Sequence, residues 1–266
     1  MSRSLSPALS EDLDALSHPI SDLHHNATPS GSVTTIATLD TYVAKPSSGD
    51  TSKCILVLSD ALGFSDPNLR VLGDDFASNG YYVVIPDLLE GDPIPEEVLP
   101  AQSPDRFVIE KIKHGIATAI YVPFWRRRHN EERTMAILRA YIEALRTEHG
   151  VRKIGAIGFS WGGRYTLKLE YIEAGIVCHP TGIEAADFDG VICPIHYILT
   201  QNELVFSKEL QEHAKNEAQK RNIEIQITEL DAEHGFALRF EPSDVKSRHA
   251  KEQAFEITLG WFRRFL

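Results

Sequence analysis

Residues 153–164 read KIGAIGFSWGGR and contain an apolar run of β type that ends in a Gly-x-Ser-x-Gly pattern. A helix-compatible segment, residues 164–174, follows the pattern at once. This order of strand, sharp turn and helix is typical of a nucleophile elbow, in which Gly158 and Gly162 avoid a Cβ clash with the strained turn. We predict that Ser160 is a catalytic nucleophile. The alternative is a passive serine in a glycine-rich turn.

Composition places the chain among globular proteins and excludes some functions. Its 266 residues are 42% hydrophobic and 24% charged, which suits a globular fold of one large α/β domain or two small ones, and one domain is the expectation. A formal net charge of -11 argues against binding to nucleic acid or to an anionic membrane surface. The N-terminus lacks the apolar segment of a secretory signal, and no apolar run reaches the length of a membrane span. Because Cys54, Cys178 and Cys193 lie in or beside apolar runs, we expect buried reduced thiols and a cytoplasmic location.

Apolar runs alternate with helical patterns on both sides of the elbow. Buried strands are predicted at residues 54–58 and 81–85, with a helix between them that starts at Asp66 and Pro67. Repeated βαβ units of this kind imply a mostly parallel sheet flanked by helices, in the α/β class. Further strands are predicted at 32–44, 175–178, 191–200 and 222–229, and further helices at 131–148, 206–221 and 244–266. We expect one domain over residues 31–266, preceded by a polar arm over residues 1–30.

Residues 92–130 interrupt this alternation and contain several prolines, with one helical stretch predicted at 107–116. An excursion of this length is typical of a lid. Its apolar side chains are Ile120, Tyr121, Phe124 and Trp125. Two interpretations stay open for them, because they either cover a pocket or pack on the body of the domain. Residues 126–129, the one dense basic cluster, are either solvated surface or an anion-recognition site at the pocket mouth.

A serine nucleophile needs a base, and the base needs a carboxylate that fixes its tautomer. In α/β-hydrolases the three residues follow the chain order serine, acid, histidine, each in a loop after a strand. Glu203 and His234 occupy the two expected loops, whereas Asp231 and Glu233 are too near His234 in sequence to orient it easily. The other histidines lie in strands, helices, the lid or the arm, where a structural role is the expectation.

An oxyanion hole would complete such a site. The predicted donors are the backbone N–H of Trp161, which follows the nucleophile, and one N–H from the loop at Asp60 and Ala61. No pair of histidines shows metal-ligand spacing with a cysteine or carboxylate, so no metal is expected.

The motifs together resemble those of the dienelactone hydrolase family. Residues 158–163 look like its Gly-x-Cys-Trp-Gly-Gly elbow, and residues 234–237 look like its His-Gly-Phe-Ala segment. The likeness extends through most of the chain and includes segments similar to the fungal branch, at 25–31, 40–43, 68–70, 86–87 and 91–92. The resemblance implies an α/β-hydrolase fold of about eight strands with a lid-like insertion, no cofactor, and hydrolysis of esters or lactones.

The resemblance also assigns roles to single residues. Ser160 matches the nucleophile, Glu203 the usual triad aspartate, His234 the base and Ala61 the second oxyanion donor, while Asp60 falls where bacterial members place a glutamate that helps activate the thiol. Possible substrate contacts are Asp60, Leu62, Phe64, Trp125, Arg126, Phe236 and Arg239.

Three residues depart from the family pattern and change what is expected of the mechanism and the substrate. Serine replaces the usual cysteine at position 160, and glutamate replaces aspartate at position 203. The arginine that bacterial members place on the substrate carboxylate is absent, with Leu238 at the nearest position and Arg239 one residue later. Dienelactone itself is therefore not the expected substrate.

The motifs and the resemblance together predict a serine hydrolase of a small-molecule ester or lactone. The likeness to the fungal branch implies a degradative or secondary-metabolite pathway. We expect a monomer or homodimer with no nucleic-acid or membrane partner. One alternative is a lyase, isomerase or cyclase that uses His234 and Asp60 without an acyl-enzyme. The other is a non-catalytic binding protein that retains a relic triad.

Overall fold

The computed structural model of the protein describes residues 27–95, 98, 108–201, 206–239 and 244–266, with the backbone alone at 108–117. The predicted arm therefore lies outside the described residues except for residues 27–30. Within these ranges, no helix combines the length and apolarity needed to cross a membrane.

Eight strands of the described chain form one sheet, in the order β1-β2-β4-β3-β5-β6-β7-β8. They are β1 (Ser32–Ile36), β2 (Leu39–Ala44), β3 (Lys53–Leu58), β4 (Tyr82–Pro86), β5 (Lys153–Phe159), β6 (Ala174–Cys178), β7 (Ile195–Thr200) and β8 (Ile225–Leu230). The β1–β2 and β2–β4 pairs are antiparallel, and every later pair is parallel. The prediction of a mostly parallel sheet of about eight strands is confirmed.

Helices cover both faces of the sheet. They are α1 (Pro67–Ser78), α2 (Val108–Arg128), α3 (Glu131–Glu148), α4 (Trp161–Thr166), α5 (Lys208–Arg221) and α6 (Val245–Phe265), with a 3₁₀ helix at Ala185–Gly190. The start of α1 is the predicted one, because the Asp66 side chain accepts a hydrogen bond from Asn68 N at 2.8 Å and Pro67 is the first helical residue.

Each face of the sheet has its own hydrophobic core, as the twofold alternation of side chains along a strand requires. Along β3, Leu56 and Leu58 belong to the core under α3 and α5, whereas Ile55 and Val57 belong to the core under α1 and α6. Because both faces are buried, inner strands such as β3 and β4 read as continuous apolar runs in the sequence.

Two predicted helices differ from the structure. The elbow helix ends at Thr166 rather than near residue 174. Beyond Thr166 the chain makes a turn, in which Lys168 N donates to the carbonyl oxygen of Tyr165 at 3.0 Å, and Leu167 and Leu169 then enter the same core. The lid helix continues through Pro123 to Arg128 instead of ending near residue 116. The buried side chain of Trp125 stabilises this extension by packing on the body of the domain.

A third difference concerns β7, which begins at Ile195 rather than near residue 191. The preceding residues instead form the 3₁₀ helix and a short connection to Pro194, which has no N–H for a sheet ladder.

Candidate active site

The nucleophile elbow has the backbone that its glycines predict. Ser160, between β5 and α4, adopts φ 47° and ψ -109°, a left-handed region that a side chain occupies only under strain. A Cβ added to Gly158 would lie 2.4 Å from the carbonyl oxygen of Gly162. A Cβ added to Gly162 would lie 2.5 Å from the carbonyl oxygen of Leu58, at the end of β3. The elbow is therefore packed backbone to backbone and needs glycine at both positions.

His234 reaches the nucleophile from the loop after β8. Its Nε2 lies 3.1 Å from Ser160 Oγ, although the two residues are 74 positions apart in the chain. This distance is within hydrogen-bond reach, as a serine and its general base require. Glu203, the predicted acid, lies in residues 202–205, outside the described part of the chain, and its role stays a prediction.

Asp60 and Arg239 form an ion pair beside the site. Asp60 Oδ2 accepts from Arg239 Nη1 at 2.6 Å, and Asp60 Oδ1 accepts from Leu62 N at 2.9 Å. Burial raises the pKa of the Asp60 carboxyl, and the Arg239 guanidinium together with the Leu62 N–H opposes this rise. Both carboxylate oxygens are thus engaged by protein groups other than Ser160.

The two predicted oxyanion donors lie in segments fixed by the fold. Trp161 is the first residue of α4, a position where the backbone N–H has no acceptor inside the helix. Ala61 follows β3, and its carbonyl oxygen accepts from Ile94 N at 2.8 Å, which holds the orientation of this loop. Their roles as oxyanion donors stay predictions.

The aromatic part of the predicted lid packs on the elbow helix. Trp125 is buried, and its ring centroid lies 5.6 Å from that of Trp161. The Trp125 indole donates to the carbonyl oxygen of Asp92 at 2.8 Å. In contrast, Ile120 and Phe124 are 60% and 64% exposed. For Trp125, packing on the body is therefore the correct interpretation, whereas Ile120 and Phe124 face outward.

The basic cluster is not one surface. Arg128 Nε donates to Asp92 Oδ2 at 2.7 Å, and His129 Nε2 lies 2.9 Å from the same oxygen. The pKa of the Asp92 carboxyl is lowered, mainly by its hydrogen bond to Arg128. Arg126 points elsewhere, with its Nη2 3.9 Å from the position that a Cβ on Gly182 would take. One arginine of the cluster thus reaches the loop beside the elbow.

The remaining predicted substrate contacts differ in burial. Leu62 and Phe64 are half-buried in the loop after β3, and the Phe64 ring lies 4.9 Å from the Arg70 guanidinium. Phe236 is fully buried, with its ring centroid 5.3 Å from that of His179. The structure therefore buries Phe236 against His179 rather than leaving it on an open surface.

Two residues that follow β6, the parallel neighbour of β5, lie at the site, although sequence reasoning missed Thr181 and gave His179 a structural role. Thr181 Oγ1 lies 3.3 Å from Ser160 Oγ. His179 is completely buried, and its ring centroid lies 4.9 Å from that of His234. Both residues follow a strand that pairs with the nucleophile strand β5. The carboxyl ends of parallel strands meet at one edge of the sheet, so this place in the chain could have indicated that both residues lie near Ser160.

The expectation of a hydrogen-bonded structural role was wrong for His179 and is confirmed for His196. Neither ring nitrogen of His179 has a hydrogen-bond partner in the described ranges. Burial holds the pKa of His179 well below its usual value, so the ring is neutral. His196 Nε2 lies 2.9 Å from Thr228 Oγ1, and burial lowers the pKa of His196 to about 4.

Three residues outside this site bring potential metal ligands together. Asp189, His213 and Glu217 each offer one ligand atom within 4.8 Å of the others. The Glu217 carboxylate already pairs with Lys220 at 2.5 Å and with Arg221 at 3.4 Å, and these cations oppose a bound metal ion. The expected absence of a metal cofactor stays a prediction.

The chain is similar to known proteins in sequence, and to solved structures in fold. The hydrolase pyvD of Aspergillus violaceofuscus is 29% identical over 246 residues, which cover 91% of this chain and 93% of that protein. The human carboxymethylenebutenolidase homolog is 27% identical over 210 residues, which cover 74% of this chain and 76% of that protein. The crystal structure of dienelactone hydrolase from Anabaena variabilis has a TM-score of 0.58 and 15% identity, and the match covers 91% of this chain and 100% of that one.

The match to a family extends over nearly all of the described structure. The model of the dienelactone hydrolase family matches residues 39–266, from the start of β2 to the C-terminus, and this range includes the elbow and His234. The chain is therefore a hydrolase that belongs to the dienelactone hydrolase family, within the α/β-hydrolase superfamily.

Proposed function

We propose that this protein is a serine hydrolase that cleaves a small-molecule ester or lactone through an acyl-enzyme on Ser160. The observation that carries the proposal is the 3.1 Å distance between His234 Nε2 and Ser160 Oγ, with Ser160 in the strained backbone of an elbow. In this mechanism His234 Nε2 takes the hydroxyl proton as Oγ bonds to the substrate carbonyl carbon. The backbone N–H groups of Trp161 and Ala61 hold the oxyanion.

The second half of the reaction reuses the same groups. The tetrahedral intermediate collapses, and the proton on His234 passes to the leaving alkoxide oxygen. Water then attacks the acyl carbonyl while His234 removes its proton, and Ser160 leaves with a proton returned from His234. Glu203 is proposed to hold the histidine tautomer and to stabilise the imidazolium.

The ion pair at Asp60 favours this mechanism over one in which Asp60 is the base. Its Oδ2 binds Arg239 at 2.6 Å and its Oδ1 binds Leu62 N at 2.9 Å, so the carboxylate is not directed at Ser160.

Cys54 and Cys193 are buried free thiols, which supports the further proposal of a cytoplasmic protein.

A fluorophosphonate probe tests the proposal, because the reagent phosphonylates a serine only when a base activates it. We expect one adduct on the wild-type protein by intact mass, no adduct on Ser160→Ala, and strongly slowed labelling of His234→Gln. Ser59→Ala is the matched control, since Ser59 is also buried at the end of a parallel strand but its hydroxyl has no partner in the described ranges.

The absence of an adduct on folded wild-type protein would contradict the activated serine. The reaction would then have to proceed without an acyl-enzyme. An adduct that persists in Ser160→Ala would place the nucleophile elsewhere in the chain.

Arg126 gives a prediction about substrate charge. Its guanidinium extends to the Gly182 loop beside the elbow, where it can attract an anionic group of a bound ester. We expect Arg126→Gln to raise KM about 5-fold for an ester that carries a carboxylate, and to leave KM for a neutral ester unchanged. The preference for the anionic ester should also weaken as ionic strength rises.

Arg127→Gln is the control, because Arg127 is the exposed neighbour in the same basic cluster. If Arg126→Gln changes KM equally for the anionic and the neutral ester, Arg126 is a solvated surface residue that does not contact the substrate.

A further inference from the structure

The segment that follows β6 is fixed to the nucleophile elbow by its backbone. Ser160 N donates to the carbonyl oxygen of Cys178 at 3.1 Å, and Thr181 N donates to the carbonyl oxygen of Ser160 at 3.0 Å. Pro180 lies between them and packs on the elbow helix, with its Cβ 3.2 Å from the position of a Cβ on Gly163. The position of Thr181 relative to the nucleophile is thus set by main-chain hydrogen bonds.

The Thr181 hydroxyl lies on the reacting atom of the proposed mechanism. Ser160 Oγ is 3.1 Å from His234 Nε2 and 3.3 Å from Thr181 Oγ1. A serine hydroxyl has one proton to donate and lone pairs to accept a second hydrogen bond. In the productive state the proton points to His234, so the Thr181 hydroxyl must donate to Ser160 Oγ.

We propose that Thr181 is a catalytic residue whose hydroxyl donates a hydrogen bond to Ser160 Oγ and stabilises the negative charge that develops there. This inference rests on the proposed serine mechanism. In the transition state His234 Nε2 takes the proton before the bond from Oγ to the carbonyl carbon is complete, and the Thr181 hydrogen bond strengthens because Oγ then carries partial negative charge. As the bond forms, this charge moves to the carbonyl oxygen. In deacylation the bond from the acyl carbon to Oγ breaks, and the same hydroxyl stabilises the departing oxygen before His234 returns the proton.

The role follows from the identity of the nucleophile. A thiol ionises near neutral pH with modest help, whereas a serine hydroxyl is far less acidic and depends on every group that stabilises its anion. A neutral hydroxyl provides this help without adding a charge next to His234. Thr181 is only half-buried, so substrate binding can exclude the solvent that would otherwise compete for the same hydrogen bond.

The opposite direction of this hydrogen bond makes a different prediction. If Ser160 donates to Thr181, the threonine holds the serine away from its base, and its removal should speed the reaction. If Thr181 donates to Ser160, its removal should slow the reaction.

The test compares Thr181→Val, which keeps the shape and removes the hydroxyl, with Thr181→Ser, which keeps the hydroxyl. The readouts are the second-order rate constant for fluorophosphonate labelling of Ser160 and kcat/KM for a small neutral ester. We expect both to fall about 10- to 100-fold in Thr181→Val, and to stay within about 3-fold of wild type in Thr181→Ser. Labelling of Thr181→Val at or above the wild-type rate would overturn the proposal.

The same substitution in a protein with a cysteine nucleophile separates loss of the hydrogen bond from displacement of the loop that carries Thr181. In Ser160→Cys the nucleophile is a thiol, and the rate of alkylation by iodoacetamide reports its activation. We expect Thr181→Val to lower this rate by less than about 3-fold, because the thiolate needs less stabilisation. Equal losses in the serine and cysteine backgrounds would overturn the proposal, since a displaced loop affects both.

The two proposals fail in different ways. If the wild-type protein forms no fluorophosphonate adduct, the serine mechanism itself is contradicted. If the wild-type protein and Thr181→Val are labelled equally fast, the serine mechanism stands and only the role of Thr181 is contradicted.

Discussion

Ser160→Ala is expected to lower ester turnover by about 10,000-fold or more, with the fold unchanged, because the variant lacks the hydroxyl that His234 activates. His234 Nε2 lies 3.1 Å from that oxygen, so His234→Ala should lose turnover to a similar extent. The measurement is kcat for a panel of small esters and lactones.

The double variant gives the more specific result. Nucleophile and base act as one unit, so Ser160→Ala combined with His234→Ala should be no slower than either single variant. Additive losses would mean that the two residues serve separate steps. More than a tenth of wild-type turnover in Ser160→Ala would favour a route without an acyl-enzyme that uses His234 and Asp60.

Gly162→Ala is expected to cause a large loss of stability at the elbow. The added Cβ would lie 2.5 Å from the carbonyl oxygens of both Leu58 and Ser59, and backbone atoms inside a parallel sheet cannot move aside. We expect the free energy of unfolding to fall by about 3 kcal/mol or more, measured by urea denaturation. Fluorophosphonate labelling of the remaining folded protein should also be lost, since α4 positions Ser160.

The control is Gly260→Ala in α6, where an added Cβ meets no atom within 4 Å. In an exposed helix this change should stabilise the protein by about 0.5–1 kcal/mol. A Gly162→Ala variant that unfolds within about 1 kcal/mol of the wild type would show that the elbow can move away from the end of β3.

Local patterns in the sequence predicted much of the fold because they reflect local physical requirements. The apolar run at residues 54–58 became a strand buried on both faces, and the helix predicted at 131–148 has those bounds. The elbow helix was predicted too long, since the pattern of residues 167–169 does not reveal which core those leucines enter. The end of the lid helix was also hidden, because Trp125 stabilises it through contacts with Leu89 and Trp161, far away in the chain.

In the candidate site, too, some residues could be predicted from local sequence patterns and others could not. Ser160 could be located from the glycines that its turn requires, and His234 from its loop after the last strand of a parallel sheet. The pairing of Asp60 with Arg239 joins residues 179 positions apart, and no local pattern indicates it. Thr181 was overlooked because one hydroxyl in a loop carries no periodic or motif signal.

By itself, the sequence determined the succession of strand, turn and helix at the elbow, the strained backbone of Ser160 and the chain order of the proposed nucleophile and base. These features depend on side-chain periodicity and on the conformational freedom of glycine, both of which are properties of neighbouring residues. Only the tertiary structure decided that Asp60 binds Arg239, that Arg126 leaves the basic cluster for the Gly182 loop, and that the Thr181 hydroxyl lies 3.3 Å from Ser160 Oγ. These contacts depend on how parallel strands bring their carboxyl ends to one edge of the sheet, which is a property of the whole chain.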